Sequence, residues 1–449
     1  MASSRKLPPS KDLEARVSTV IRQHVRRGDR LVAGLSGGVD SMVLVDVLRS
    51  LRGRIGFTLA AVHVNHQLNP AAGRWASFCR AWCKQHGVPL KVMKVKVAPG
   101  ASIENAARIA RYTALVSVPA DFIVLAHNLD DQAETLLLQL LRGAGVKGVS
   151  AMPVLRIEDQ SSILRPLMEI SRHEIEAHAR ARQLAWVEDD SNANIEFDRN
   201  FMRHRVLPVV AERFAAYRQT LLRASRNFAE AALLLDELAK ADTEFTPLGL
   251  SIAAIRRLSV PRAKNVVRHY LATSGVAMPN ATRLTECVRQ LQEAHTGRNA
   301  IDLGEHELRF YAGELRVVRK ASSPARSFAR AWDGGSRLSL PELGGTLVMT
   351  RRRGAGISLE KFSAAAVSVR VRQGGERLRI HERRPRRSLK NLLQEAGVPP
   401  WLRERLPLVF CGELLVYVPG IGIDVGFRAR EEEKGVEPEW LADSAGRPT

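Results

Sequence analysis

The chain has 449 residues, 45% of them apolar, with 68 Lys and Arg against 47 Asp and Glu, a formal excess of +21. That length is too great for one ordinary core and implies about two to four folded domains. The positive excess points to a polyanionic partner, nucleic acid or an anionic membrane, against the plainer reading of basic surfaces everywhere. No run approaches the roughly 18 apolar residues of a bilayer span, and the opening Met-Ala-Ser-Ser-Arg-Lys-Leu-Pro-Pro lacks the apolar centre of a secretion signal, so a cytoplasmic location without membrane association is expected. Cys79, Cys83, Cys287 and Cys411 form no Cys-x-x-Cys pair and no regular framework. Cys79 and Cys83, four apart on a predicted helix, read as small packing residues.

Short apolar runs predict strands at Arg30 to Leu35, Thr58 to Val64, Leu90 to Val97 and Asp121 to Ala126. Amphipathic stretches between them predict helices near Ser41 to Leu51, Gly73 to His86, Ile103 to Val118 and Asp130 to Leu141. Repeated β-α units make the fold class α/β, a doubly wound parallel sheet. Ligands of such sheets sit beyond the carboxyl ends of the strands, where the winding reverses. Three segments fall there: Ser36 to Ser41, His63 to Leu68 and Ala126 to Thr135.

The first of these, Ser36-Gly37-Gly38-Val39-Asp40-Ser41, joins a predicted strand to a helix and reads as a phosphate-binding turn. Its glycines let the backbone turn tightly and approach an anion, and the amides opening the next helix point at it. Ser36 and Ser41 would add hydroxyl donors. Asp40 would repel phosphate unless a divalent cation stood between them, so Asp40 is the expected Mg2+ partner. The turn is neither Gly-x-x-x-x-Gly-Lys-[Ser/Thr] nor Gly-x-Gly-x-x-Gly. It resembles the PP-loop of enzymes that split ATP between its α and β phosphates.

Beyond Leu141 come Gly143, Gly145 and Gly148, then Arg165-Pro166-Leu167 and a helix from Ser171 to Arg182. A polar turn, Glu188-Asp189-Asp190-Ser191-Asn192, leads to Arg199-Asn200-Phe201-Met202-Arg203-His204-Arg205. One long helix is expected from about Ala211 to Leu238, shorter helices after Thr246, and strand alternation over Glu307 to Val318. Ser339 to Thr350 reads as β structure, and Ser368 to Phe427 as a small α/β unit containing Arg383-Arg384-Pro385-Arg386-Arg387 and a strand at Leu414 to Val418. The expected division is a catalytic domain over 1–215, a mainly helical substrate-binding domain over 216–320, a linker with some β structure over 321–366, and a C-terminal RNA-binding domain over 367–449.

With these segments in order, the chain resembles the tRNA(Ile)-lysidine synthetases. The matching elements are Ser36 to Ser41, His63-Val64-Asn65-His66, Glu104 through Tyr112 with Arg108 and Arg111, His127 through Thr135, Leu141-Arg142-Gly143, Arg165-Pro166-Leu167, Glu188 to Asn192, and Arg199-Asn200-x-x-Arg203. Val371 to Leu378 and Val398 to Leu408 resemble that family's last domain. One departure stands out: the family pattern His-x-Leu-Arg appears as His66-Gln67-Leu68-Asn69, so that a positive contact near the nucleotide is either missing or supplied by Arg74.

The resemblance implies a PP-loop catalytic domain, ATP and Mg2+ as cofactors, L-lysine as co-substrate, and the wobble cytidine of an isoleucine tRNA with a CAU anticodon as target. Adenylation of the C2 oxygen releases pyrophosphate, and lysine then displaces AMP. The loop, with His66, Arg108 and Arg111, is the expected nucleotide site; Arg108, Arg111, Arg199 and Arg203 would stabilise the phosphate charge. Asp130, Asp131, Glu134 and His127 are candidate proton acceptors for the incoming amine. Plainer readings stand beside these: Asp130 or Asp131 caps a helix, Glu134 pairs with an arginine, Glu104 and Arg108 form a surface pair, and His66 packs in the core. Arg351-Arg352-Arg353 and Arg383 to Arg387 would contact tRNA phosphates, and Trp401 either stacks on a base or anchors a core. The rival readings are a PP-loop tRNA thiolase, which would want a Cys-x-x-Cys pair, and a non-catalytic RNA-binding module. The oligomeric state stays open, a homodimer included.

Overall fold

Alternation of apolar runs with amphipathic stretches produces a six-stranded sheet between Arg30 and Leu164. The computed structural model describes residues 9–97, 103–157, 161–243, 245–246, 249–293, 300–320, 327–333 and 335–442. Within it the chain divides into two compact units, Met1–Leu234 and Leu235–Thr449. Among the described residues no helix is long and apolar enough to cross a membrane.

The first unit opens with a helix the sequence reading did not anticipate, α1 (Pro9–His24). Leu13, Val17 and Ile21 recur every fourth residue and are buried against two later helices. Then follow β1 (Arg30–Gly34), α2 (Val39–Ile55), β2 (Thr58–Asn65), α3 (Ala72–Gln85), β3 (Leu90–Lys94), α4 (Ile103–Val116), β4 (Phe122–Val124) and α5 (Leu129–Leu141). A one-turn α6 (Val146–Val149), β5 (Leu155–Arg156), β6 (Ser162–Leu164) and α7 (Arg172–Ala181) complete the layer. Every strand and helix expected here forms, within a few residues.

The strand order is β3-β2-β1-β4-β6-β5, parallel except for β5. The winding reverses between β1 and β4, so the loops leaving those two strands face one another across the switch point. Met42, Val43, Leu44, Val45, Val47, Leu48 and Leu51 are all buried on α2, which is therefore apolar nearly all round. Each such burial contributes about 1.5–3 kcal/mol, fixing the helix that begins at the phosphate turn.

The polar turn after Val187 enters a continuous helical stretch: α8 (Asp198–Phe201), a π turn over Met202–Val206, and α9 (Leu207–Arg213). Pro208 has no N–H to offer the carbonyl of His204, and the wider turn just upstream absorbs that mismatch, with the Leu207 amide bonding to Met202 instead. The single long helix expected from Ala211 is interrupted, because Phe214 leaves helical space at φ −123°, ψ 74°. The chain resumes as α10 (Tyr217–Asp242), and the division into two compact units falls inside that helix.

In the second unit, helices over Ile252–Arg257, Val260–Thr273 and Ala281–Glu293 share a core with a five-stranded sheet that includes His306–Tyr311 and Glu314–Arg319. The mainly helical expectation for 216–320 thus omitted a sheet. The expected linker, 321–366, is also corrected. Strands at Ala329–Ala331, Arg337–Leu340, Gly345–Arg353 and Ile357–Ser358 join two sheets completed by strands between Val367 and Ala442. Gly345–Arg353 pairs with Lys434–Ala442 along its whole length, so this stretch folds with the C-terminal strands.

Candidate active site

The phosphate turn leaves β1 and opens α2. Gly37 sits at φ +95°, and a Cβ there would lie 2.8 Å from Val187 Cγ2 and 3.3 Å from Cys79 Sγ, so two independent constraints demand glycine. Gly38 is the N-cap of α2 and its side has room. The Ser41 hydroxyl, expected to face phosphate, turns into the loop instead: it donates to the Gly38 carbonyl at 2.9 Å and accepts from the Ser36 and Gly37 amides, both at 3.2 Å. Val39 is buried in the core, so only its backbone belongs to the turn. His63 braces the turn from β2, its Nδ1 2.8 Å from the Leu35 carbonyl.

Asp40 lies in the first turn of α2. Burial pushes its carboxyl up to about 6, against the pull of Arg172, with Asp131 adding to the rise. Its Oδ1 accepts from Asn128 Nδ2 at 3.0 Å, and its Oδ2 lies 3.5 Å from Arg172 Nη1. Asn128 follows β4 and caps α5, taking the Asp131 amide on its side chain while Asp131 Oδ2 accepts the Asn128 amide at 2.9 Å. One asparagine therefore ties the two loops of the switch point together.

Behind it lies a cluster of acids and arginines. Glu134 is fully buried and accepts from Arg199 Nε at 2.8 Å and Arg203 Nε at 2.6 Å. Asp131 Oδ1 meets Arg199 Nη2 at 3.0 Å and Arg203 Nη2 at 3.3 Å. Burial would raise the Asp131 carboxyl, but Arg199, His127 and Arg203 outweigh it and hold it below the usual range. Burial likewise opposes the Arg203 charge, and Glu134 reverses the effect. Asp130 faces away from this group, accepting from Arg218 Nε at 2.5 Å and from the Arg172 amide at 2.8 Å. Both plainer readings are visible here: Asp131 belongs to a capping box and Glu134 to arginine pairs.

His127 and His66 each place Nδ1 inside the protein with no hydrogen-bond partner among the described residues. Burial pushes the His127 imidazole down to about 3, with Arg165 and Arg111 reinforcing the shift. It stays neutral near pH 7 and is a poor acceptor for an ammonium proton. His66 is lowered by burial and then by Arg111. Arg108, Arg111 and Arg156 gather around the Tyr112 ring, at 5.1, 5.9 and 5.5 Å from its centroid. The Glu104 side chain lies outside the described residues, so its expected pair with Arg108 is not described.

Arg172 and Arg156 were not singled out in the sequence, and Asn128 fell inside the Ala126 to Thr135 segment without a role of its own. Asn128 followed by Asp131 at the third helical position carried a capping-box signal; Arg172 and Arg156 carried none. Asn69, standing where the family pattern has arginine, binds Asp189 Oδ1 at 3.3 Å and caps the Ala71 amide at 2.8 Å, while Arg74 is exposed. All four cysteines are buried, and burial pushes the Cys79 and Cys83 thiols up to about 12 and about 11. Trp401 lies edge-on to Tyr311 at 6.0 Å with Arg309 over its ring, a packing role within the second unit. A cavity of about 700 Å³ in that unit, lined by Trp332, Arg337 and Arg351 among others, holds none of the predicted catalytic residues.

Residues 9–210 match the model of a PP-loop domain, 250–316 that of a TilS substrate binding domain and 367–440 that of a TilS substrate C-terminal domain. A curated tRNA(Ile)-lysidine synthase of Nitrosomonas europaea is 41% identical, covering 98% of this chain and 98% of its own. Another, of an Azoarcus species, is 42% identical over 93% of each chain. The solved structure of a TilS C-terminal domain aligns with 26% of this chain and 98% of its own at 19% identity and a TM-score of 0.22.

Proposed function

Because this chain belongs to the tRNA(Ile)-lysidine synthase family, we propose that its switch-point cleft adenylates the wobble cytidine of a CAU anticodon and that its acid–arginine cluster receives L-lysine. The enzyme is an ATP-dependent ligase. The C2 oxygen of cytosine attacks the α-phosphorus of ATP and the bond to pyrophosphate breaks. The lysine amine then attacks C2, the C2–O bond breaks, AMP leaves, and the amine gives up its proton.

The observation that carries this reading is the Asn128 bridge. It sets the turn that meets the triphosphate directly beside the acids that meet an amine, so both half-reactions share one base without its release. The amides opening α2 face the phosphates. Arg108 and Arg111 supply positive charge from α4. Arg199 and Arg203, engaged by Glu134 and Asp131, act by holding those carboxylates in place.

No three His, Cys, Asp or Glu side chains gather as a metal cage among the described residues. Mg2+ does not require one, being held by one or two carboxylates and substrate phosphates. Asp40 fits that demand and would hold the ion, which when bound neutralises phosphate charge. Asp131, near enough to Asp40 to raise its carboxyl and held ionised by its arginines, is the carboxylate we assign to the lysine ammonium. His127, neutral near pH 7, offers the ammonium no opposite charge. The buried thiols lend nothing to sulfur transfer, and both halves of the site come from a single chain.

Release of AMP and pyrophosphate measured with tRNA, with lysine, and with both tests the reading. AMP release that requires both supports it; release from ATP alone at the same rate overturns it.

A further inference from the structure

The segment between the phosphate turn and the acid cluster forms an arch. Its near end is pinned where the Val187 amide donates to the Gly37 carbonyl at 3.0 Å and Asn69 holds Asp189; its far end where Arg203 binds Glu134. Between these anchors, residues 192–198 are all exposed. Three large apolar side chains nevertheless stand in the open on this polar arch: Ile195 is 41% exposed, Phe197 37% and Phe201 45%.

Phe197 is the N-cap of α8 and Phe201 its last residue; the Phe201 amide donates to the Phe197 carbonyl at 2.9 Å, one helical turn apart. Arg199 and Arg203 lie about half a turn away and point inward to Asp131 and Glu134. The short helical stretch formed by the N-cap, α8 and the π turn thus directs arginines to the acids and aromatic rings to solvent. Arg205, just beyond, is exposed and has no ion pair among the described residues.

A base whose C2 oxygen must reach an α-phosphate has to leave its stack, and its neighbours in a single-stranded loop then lose a stacking partner. Aromatic rings replace such partners regardless of base identity, and cations nearby hold the backbone. We propose that Phe197 and Phe201 are the stacking platform for the nucleotides flanking the target cytidine in the tRNA anticodon loop, with Arg205 on the adjoining phosphate. This rests on the proposed function above, and it adds the surface that presents the base.

The test uses the full chain and an anticodon stem-loop transcript. F197A/F201A should raise KM for the transcript about ten-fold or more while leaving the melting temperature and binding of a non-hydrolysable ATP analogue unchanged. F197L/F201L should fail to restore KM, because leucine keeps the apolar area and loses the ring. F197W/F201W should restore it, with tryptophan emission quenched on transcript binding. An unchanged KM in the alanine pair, full restoration by leucine, or unquenched tryptophan overturns the proposal; leucine restoration would mean that apolar area, and not ring stacking, sets the contact. Quenching by the transcript without any modified nucleoside from the wild type would sink the ligase reading and leave the platform standing.

Discussion

Two sets of arginines, one from each unit, sit in opposite settings. In the first, Arg199, Arg203 and Arg218 close on carboxylates whose side chains are 13% exposed or less. In the second, Arg352 meets Glu437 at 2.6 Å and Arg353 meets Glu432 at 2.7 Å, with all four side chains half exposed or more, while Arg351, Arg383 and Arg384 have no ion pair among the described residues. A buried pair cannot lose a member cheaply, whereas an exposed one is worth little and is screened by salt. The same residue type is therefore fixed scaffold in one place and, in the other, exposed charge open to exchange with a polyanion.

The comparison breaks most visibly at Asp40. Asp40→Ala should reduce AMP formation on the order of a thousand-fold with tRNA affinity nearly unchanged, since the role proposed for Asp40 is at the nucleotide; AMP formation at the wild-type rate would remove it from the mechanism. Next, Arg203→Ala leaves fully buried Glu134 with one arginine and should cost about 3 kcal/mol in urea unfolding at low and high salt alike. Adding Glu134→Gln should recover part of that loss, and a cost below about 1 kcal/mol would show the cluster to be weakly held.

For the exposed set, Arg383→Ala/Arg384→Ala should lower the slope of log affinity for tRNA against log salt by about 1 to 2. Arg203→Ala should leave that slope alone, and equal slopes in all three proteins would take the C-terminal patch out of tRNA binding. The smallest effect is at His127. Its imidazole is held down in the folded state to about 3, so below pH 6.5 the unfolded chain binds the extra proton and wild-type stability falls with pH. His127→Gln lacks that contribution, and the wild-type-minus-variant difference should fall by about 1 kcal/mol per pH unit between 6 and 4. A flat difference would mean that the ring is already protonated or open to water.

Much of the first unit was legible because periodicity and burial agree there: β1, β2, β4 and α2 are apolar runs that end in turn residues. The phosphate turn was legible because Gly37 answers two local demands at once. α1 was missed although Leu13, Val17 and Ile21 repeat at helical spacing, and the proline at its opening is no obstacle to a helix. Arg172 was invisible because its role depends on α7 returning to the head of α2, a tertiary fact with no local motif. Strands as short as Ile357–Ser358 carry too few residues for alternation to register, and so 321–366 read as a linker. Ser41 shows the reverse limit: its residue type suited phosphate, and only the geometry revealed that its hydroxyl is spent inside the turn.

The most direct test is mass analysis of nucleosides from a CAU-anticodon isoleucine tRNA transcript incubated with the enzyme, ATP, Mg2+ and L-lysine. The account predicts a cytidine heavier by one lysine less one water, absent when lysine is omitted and absent with Asp40→Ala. Unmodified cytidine from the complete wild-type reaction would contradict it.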